Sequence, residues 1–356
     1  MANRPPVMDP LLSSVEKIFL ISGTCFVVAM LWTPVLIRFL KRKKLGKSIR
    51  DASAAPVMAK LHAAKEGTPT MGGLVVWVTA CFVILSLNIG CELTGSAGLC
   101  RLNILSRSQT LLPLGAMVAA AFVGLLDDYL NIRKIGPRGG GLRLRHRLFS
   151  YFVIAVGGAL WFYSKLEWQS IHVPFFGDVS LGWWYVPFFT LVIVATSFSV
   201  NETDGLDGLA GGTLMAAFGA YGVIAFSQGK FDLAAFCAAL LGALLAFIWH
   251  NVTPAAFFMG DTGSMALGTV LGIVAMLTNQ PLLLPIIGFP FVVESASVLI
   301  QVASKKIRKK KVFLSAPLHH HLEAIGWGEP KIVMRFWVLA VGMAAIGTII
   351  ALIDRG

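Results

Sequence analysis

The chain has 356 residues, of which 56% are hydrophobic and only 13% charged, with a mean hydropathy of +0.75. Soluble domains carry roughly 25% charged residues, so this balance excludes a soluble globular fold. The net charge of +12 points away from nucleic acid, because of where along the chain it sits.

Ten apolar runs are legible: Ile18–Leu40, Met71–Ile89, Leu111–Leu126, Leu148–Ser164, Trp183–Val200, Leu209–Ser227, Leu233–Trp249, Thr262–Thr278, Pro281–Ala303 and Ile332–Ile353. A span needs about 20 residues, with a lower bound near 17, and backbone groups in lipid must be satisfied internally. Each run is therefore read as a helix, and the whole of 1–356 as one all-α polytopic membrane domain with about ten transmembrane helices. No signal peptide is expected, since Met1–Val15 has no small-residue cleavage site before the first span.

An even number of spans puts both termini on one side and makes the loops alternate. Residues 41–70, 127–147, 201–208, 250–261 and 304–331 then share a face. Twenty-one of the 30 Lys and Arg lie there, seven lie on the opposite side, and Arg38 and Arg335 lie within spans. The bias makes the first face cytoplasmic and both termini external. It also favours anionic lipid headgroups and phosphorylated substrates. The five cysteines have no metal-type spacing; Cys25, Cys81 and Cys237 lie in apolar runs, whereas Cys91 and Cys100 share one external loop where a disulfide could form.

The unusual polar motifs all fall on the basic face. They are Lys65–Gly73, Asp127-Asp128-Tyr129, Asn201-Glu202-Thr203-Asp204-Gly205-Leu206-Asp207-Gly208-Leu209, Asn251, Met259–Ser264 and His319-His320-His321. Taken singly, each has a bland reading. An acidic loop is often just solvated, the Asp127-Asp128 pair could end a span, and Asp261 could cap the helix that follows it. Asp204 and Asp207 stand three apart, so one helical turn would put them on one face. Five aspartates from three loops of one face are harder to explain as caps. Carboxylates together with water and substrate phosphates are what Mg²⁺ prefers, and Lys65, Arg143, Arg145 and Arg147 supply cations. Metal ligands beside cations are the ingredients of phosphoryl transfer, and at a membrane face the phosphate would belong to a lipid. The three consecutive histidines would project about 100° apart on a helix and could not all ligate one ion. Diphosphate binding or acid–base work fits them better than zinc. Glu294, inside the ninth run, is read as a carboxylate bonded to a neighbouring helix.

The motifs Gly67-Thr-Pro-Thr-Met-Gly-Gly73, Asp127-Asp128-Tyr129, Asn201…Asp204-Gly-Leu-Asp207, Phe258-Met-Gly-Asp261, Phe291-Val-Val-Glu294 and Ala316-Pro-Leu-His-His-His321 carry a resemblance. The chain resembles the phospho-N-acetylmuramoyl-pentapeptide transferase family, within the wider polyprenyl-phosphate sugar-1-phosphate transferases. The triple-His loop is the more specific mark of that branch. The resemblance implies ten helices, a homodimer in the bacterial inner membrane, Mg²⁺, and a site facing the cytoplasm. It also implies transfer of phospho-MurNAc-pentapeptide from UDP-MurNAc-pentapeptide to undecaprenyl phosphate, giving lipid I and UMP. By the same resemblance, Asp261 would hold the metal, and Asp127 or Asp128 would orient or deprotonate the lipid phosphate. Asn201, Asp204 and Asp207 would shape the nucleotide and metal site, and Asn251 and Phe258 would contact uridine. Lys65, Thr70, His319, His320 and His321 would serve the diphosphate and sugar, with Gln301 lining the pocket. One departure is Asn131, where the family usually has a lysine that Arg133 or Lys134 would have to replace. Another is Glu202, where an aliphatic residue is common. The rival readings are a sister enzyme passing GlcNAc-1-phosphate to the same lipid, which the triple-His loop argues against, and a cation transporter. A transporter needs polar groups at mid-membrane depth, whereas here most lie on one face.

Overall fold

The computed structural model describes residues 10–46, 65–106, 109–136 and 140–354. Of the basic residues that set the expected topology, Arg4, Lys47, Arg50, Lys60, Arg107, Arg138 and Arg355 lie outside the described residues.

All ten apolar runs are helical. In chain order the helices are α1 (Pro10–Arg42), α2 (Leu74–Thr94), α3 (Ala97–Leu102), α4 (Leu111–Ile132), α5 (Leu144–Lys165), α6 (Tyr185–Thr203), α7 (Leu209–Ser227), α8 (Phe231–Asn251), α9 (Asp261–Leu277), α10 (Leu284–Ile287), α11 (Phe289–Ile307), α12 (Leu318–Ala324) and α13 (Glu329–Ile353). Eight of them are long and apolar enough to cross a membrane, and α10 with α11 makes up to nine. The chain is thus a multi-pass membrane protein built of helices.

Helix α9 is the axis of the bundle. It has 17 residues, and every one from Thr262 to Leu277 is buried. A helix apolar all round belongs in an interior, and α9 packs along α4 and α6, while α1 packs on α8 and α13 on α7. Its buried first turn makes the N-terminal end of α9 a fixed point against which loops from other helices are arranged.

Two expectations need correction. The run Pro281–Ala303 is not one straight span: a 3₁₀ turn at Pro281–Leu283 and the short α10 are bent 84° from α11, with the break at Gly288. The reason is local, since Pro281, Pro285 and Pro290 each lack an N–H and fit only first turns. Nor do Asp204 and Asp207 share a helical turn: α6 ends at Thr203, Asp204 leaves helical geometry at ψ 59°, and α7 starts only at Leu209.

At the opposite end from the motifs, β1 (Ser170–Val173) and β2 (Gly177–Ser180) form an antiparallel hairpin, with His172 facing Asp178. His172 reaches Asp354 at the end of α13 and lies 2.7 Å from Asp178. Burial pulls this imidazole down, but the hydrogen bonds to Asp178 and Asp354 outweigh it, so its pKa lies above the usual 6.5. The same end holds the Cys91–Cys100 disulfide, which ties α2 to α3, and Lys17, which bridges the Asn103 carbonyl and Asp232 at 2.8 Å each.

Candidate active site

The geometry of the site begins at the N-terminus of α9, where unpaired amides favour an anion. Asp128, at the buried end of α4, supplies it: its Oδ1 accepts the Asp261 amide at 3.2 Å and its Oδ2 the Thr262 amide at 3.1 Å. Buried Thr70 adds its hydroxyl at 3.3 Å. Gly260 makes this possible, having φ +75°; a Cβ there would stand 2.6 Å from both Asp128 Oδ2 and Thr70 Oγ1.

The neighbouring Asp127, fully buried, has a different set of partners. One oxygen accepts the Leu142 amide at 2.6 Å, and the other is paired with Arg147 of α5. The Arg147 guanidinium also reaches Asp261 Oδ2 at 3.3 Å and Asn201 Oδ1 at 3.3 Å. Asn201 in turn donates to Asp261 Oδ1 at 2.6 Å and to Ser264 at 2.9 Å. Four segments, α4, α5, α6 and α9, therefore meet at one planar cation whose fork suits two carboxylates at once. Arg133, one of the two expected replacements for the lysine usual at position 131, lies over the Tyr129 ring at 5.5 Å.

The Asp204–Asp207 loop closes the next side. Asp204 Oδ2 accepts the Gly260 amide at 3.1 Å and Asp207 Oδ2 the Ala255 amide at 3.1 Å. Asp207 Oδ1 also receives Lys65 Nζ at 2.7 Å, and Lys65 binds Glu329 of α13 at 2.5 Å. Glu329 accepts the Asp207 amide at 2.7 Å as well. Lys65 Nζ lies 5.8 Å from the Phe258 ring centre. Asn251 is buried and used at both ends, accepting from the Gly208 amide at 2.9 Å and donating to the Phe257 carbonyl at 2.8 Å.

The three histidines diverge to three partners, as their helical spacing requires. His319 is buried against Glu294 at 3.0 Å, His320 pairs with Glu323 at 2.8 Å, and His321 accepts the Leu314 amide at 3.3 Å. Glu294 is thus bonded to a neighbouring helix as expected. Gln301 pins the following loop, accepting from Val312 and Phe313 at 3.0 Å and donating to the Phe313 carbonyl at 2.8 Å. The structure thus joins Asp127, Asp128, Asp261, Asn201, Thr70 and the Asp204–Asp207 loop in one network. Lys65 and Phe258 lie at its edge, whereas Gln301 and His321 meet around Phe313, on the α11–α12 side. Glu329 was not anticipated from the sequence. Its only local signal is an acidic residue in the first turn of α13, an ordinary cap.

Buried acids meet a guanidinium on a bundle of apolar helices, and similarity to known proteins makes this bundle a membrane-embedded transferase. Residues 110–279 match the model of glycosyl transferase family 4, and residues 65–75 match the phospho-N-acetylmuramoyl-pentapeptide-transferase signature 1. Proteins named phospho-N-acetylmuramoyl-pentapeptide-transferase are similar over nearly the whole length. That of Chloroflexus aurantiacus is 38% identical across 96% of this chain and 92% of its own. Those of Geobacillus thermodenitrificans and Bacillus anthracis are 40% and 39% identical, each across 93% of this chain and 97% of theirs. The chain belongs to the phospho-N-acetylmuramoyl-pentapeptide transferase family, and its chemistry is phosphoglycosyl transfer in peptidoglycan synthesis.

Proposed function

We propose that this protein moves phospho-MurNAc-pentapeptide from UDP-MurNAc-pentapeptide to undecaprenyl phosphate with Mg²⁺, giving lipid I and UMP. The observation that carries this reading is the meeting of Asp127, Asp261 and Asn201 on Arg147. One diphosphate is broken and one is formed, so the exchange is close to isoenergetic and needs no nucleoside triphosphate. The basic end of the bundle would face the cytoplasm of a bacterial inner membrane, and the active molecule would be a homodimer.

The donor set fits Mg²⁺ of one kind only. Among the described residues no group of three or more His, Cys, Asp or Glu could hold a metal by itself. Mg²⁺ needs no such cage: it is commonly held by one or two carboxylates with substrate phosphates and water. Asp261, 14% exposed while Asp127 is fully buried, is the carboxylate that would hold it. When bound, Mg²⁺ would offset charge on the diphosphate and ease departure of UMP.

The remaining roles fall to the chain itself. Arg147, held in place by Asp127, is the cation that the acceptor phosphate meets. A lipid phosphate monoester has a second pKa near 6 by analogy with phosphoserine, so at neutral pH it is already mostly dianionic. That, and the burial of Asp127 and Asp128, support positioning over proton removal by either carboxylate. Lys65, Thr70, Asp204, Asp207, His320 and His321 would frame the diphosphate and sugar, and Phe258 would stack on uracil beside Asn251.

The deciding experiment uses purified protein with undecaprenyl phosphate, Mg²⁺ and either UDP-MurNAc-pentapeptide or UDP-GlcNAc, with UMP measured. UMP should appear with the first donor and depend on Mg²⁺. Release from UDP-GlcNAc alone would overturn the assignment of donor.

A further inference from the structure

His319 and Glu294 are both fully buried, and the proposed transfer places no substrate group on Glu294. Its carboxylate accepts the His319 amide at 3.3 Å through each oxygen and faces the ring Nδ1 at 3.0 Å. Main chain and ring of His319 are thus gripped by one side chain projecting from α11. The grip fixes the orientation of the ring, with Nδ1 turned to the carboxylate. The other ring nitrogen, Nε2, is buried and has no hydrogen-bond partner among the described residues. It abuts Gly205: a Cβ at that position would stand 2.1 Å from Nε2. A buried polar atom left unpaired requires a reason, because an apolar side chain would fill the same space at less cost.

Gly205 joins the two aspartates whose contacts fix the site. Asp204 binds the Gly260 amide beside Asp261, and Asp207 binds Lys65. A ring wedged behind Gly205 therefore sets where both carboxylates stand. We infer that Glu294 is a positioning residue for the transfer reaction: it locks His319, and the locked ring holds the Asp204–Asp207 loop in register with Asp261. The inference rests on the proposed transfer reaction for its assay.

The test is a set of variants assayed for UMP release, with rates expressed per UDP-sugar-binding site so that loss of folded protein does not count. Glu294→Leu keeps the volume and removes the grip. Its kcat should fall about 10- to 100-fold, the scale of a misplaced catalytic group, with KM for the UDP-sugar within about threefold. Glu294→Gln retains an acceptor oxygen and should recover most of the rate. Gly205→Ala pushes the ring from the other side with Glu294 intact, so it remains decisive if Glu294→Leu does not fold. It should cost about tenfold or more in the parent, but less than about threefold on a His319→Ala background, where the ring is gone, because effects that share a partner are not additive. Parental kcat in Glu294→Leu, or an equal Gly205→Ala loss in both backgrounds, would overturn the inference. Failure of the parent to release UMP would instead overturn the proposed function.

Discussion

Replacing Asp128 with asparagine tests whether the site is built outward from the start of α9. In the native chain both carboxylate oxygens accept main-chain amides, at 3.2 and 3.1 Å, in a buried position. Asparagine keeps one acceptor and turns an NH₂ group toward the other amide. A hydrogen bond to a charged group contributes about 1.5–3 kcal/mol, and an anion at a partly buried helix N-terminus adds up to about 2 kcal/mol. Since the two terms overlap, the expected loss is about 2–4 kcal/mol. At about 2 °C per kcal/mol for a chain beyond 200 residues, the thermal midpoint in detergent should fall by about 4–8 °C. The control is Thr70→Val, which removes one 3.3 Å hydroxyl contact and should cost about 1 kcal/mol or less. Intrinsic fluorescence on heating reads both midpoints. If Asp128→Asn melts with the parent, or no lower than Thr70→Val, Asp128 is not the anchor of α9.

Asp261→Asn keeps the size of the proposed metal ligand and removes its charge. UMP release should fall at least about a hundredfold at ordinary Mg²⁺, and near-normal turnover would remove the metal role. Arg147→Lys retains the charge but cannot span Asp127, Asp261 and Asn201 together. It should lower kcat about tenfold or more, and a rate within twofold of the parent would deny the fork its importance. The hairpin clamp should weaken with alkalinity. His172 has its pKa raised in the folded chain by Asp178 and Asp354, so its stabilisation is complete below the unfolded value of 6.5 and is lost as pH rises through the folded value. Amide exchange in 170–180 should accelerate over that window, and His172→Ala should abolish the dependence.

Much of this architecture was legible because lipid permits so few solutions. A run such as Leu209–Ser227 leaves the backbone no choice but a helix, and α7 has those same limits. Alternation of loops alone brings Asp127, Asn201 and Asp261 to one face. Individual partners were less accessible. Asp127 and Asp128 look alike in sequence, yet one grips Arg147 and the other caps α9, because adjacent helical positions point about 100° apart. The break at Gly288 was hidden among residues as apolar as any span, and the hairpin at 170–180 is only four residues per strand. The link from Lys65 to Glu329 crosses 264 positions, and no local pattern announces a bond at that range.

Lys65 already holds two anions. Asp207 and Glu329 sit on its ammonium at 2.7 and 2.5 Å, so an incoming phosphate would exchange with carboxylates rather than with water. Its gain there is a difference between two ion pairs. In the proposed reaction a singly charged ligand would gain little from such a swap, while a diphosphate, with more charge and more oxygens, would gain more. Competition from within the chain would then work as a threshold on ligand charge. The carboxylates released from Lys65 would become free to recruit other cations, so the arrival of a diphosphate would itself rearrange the charge of the pocket around it.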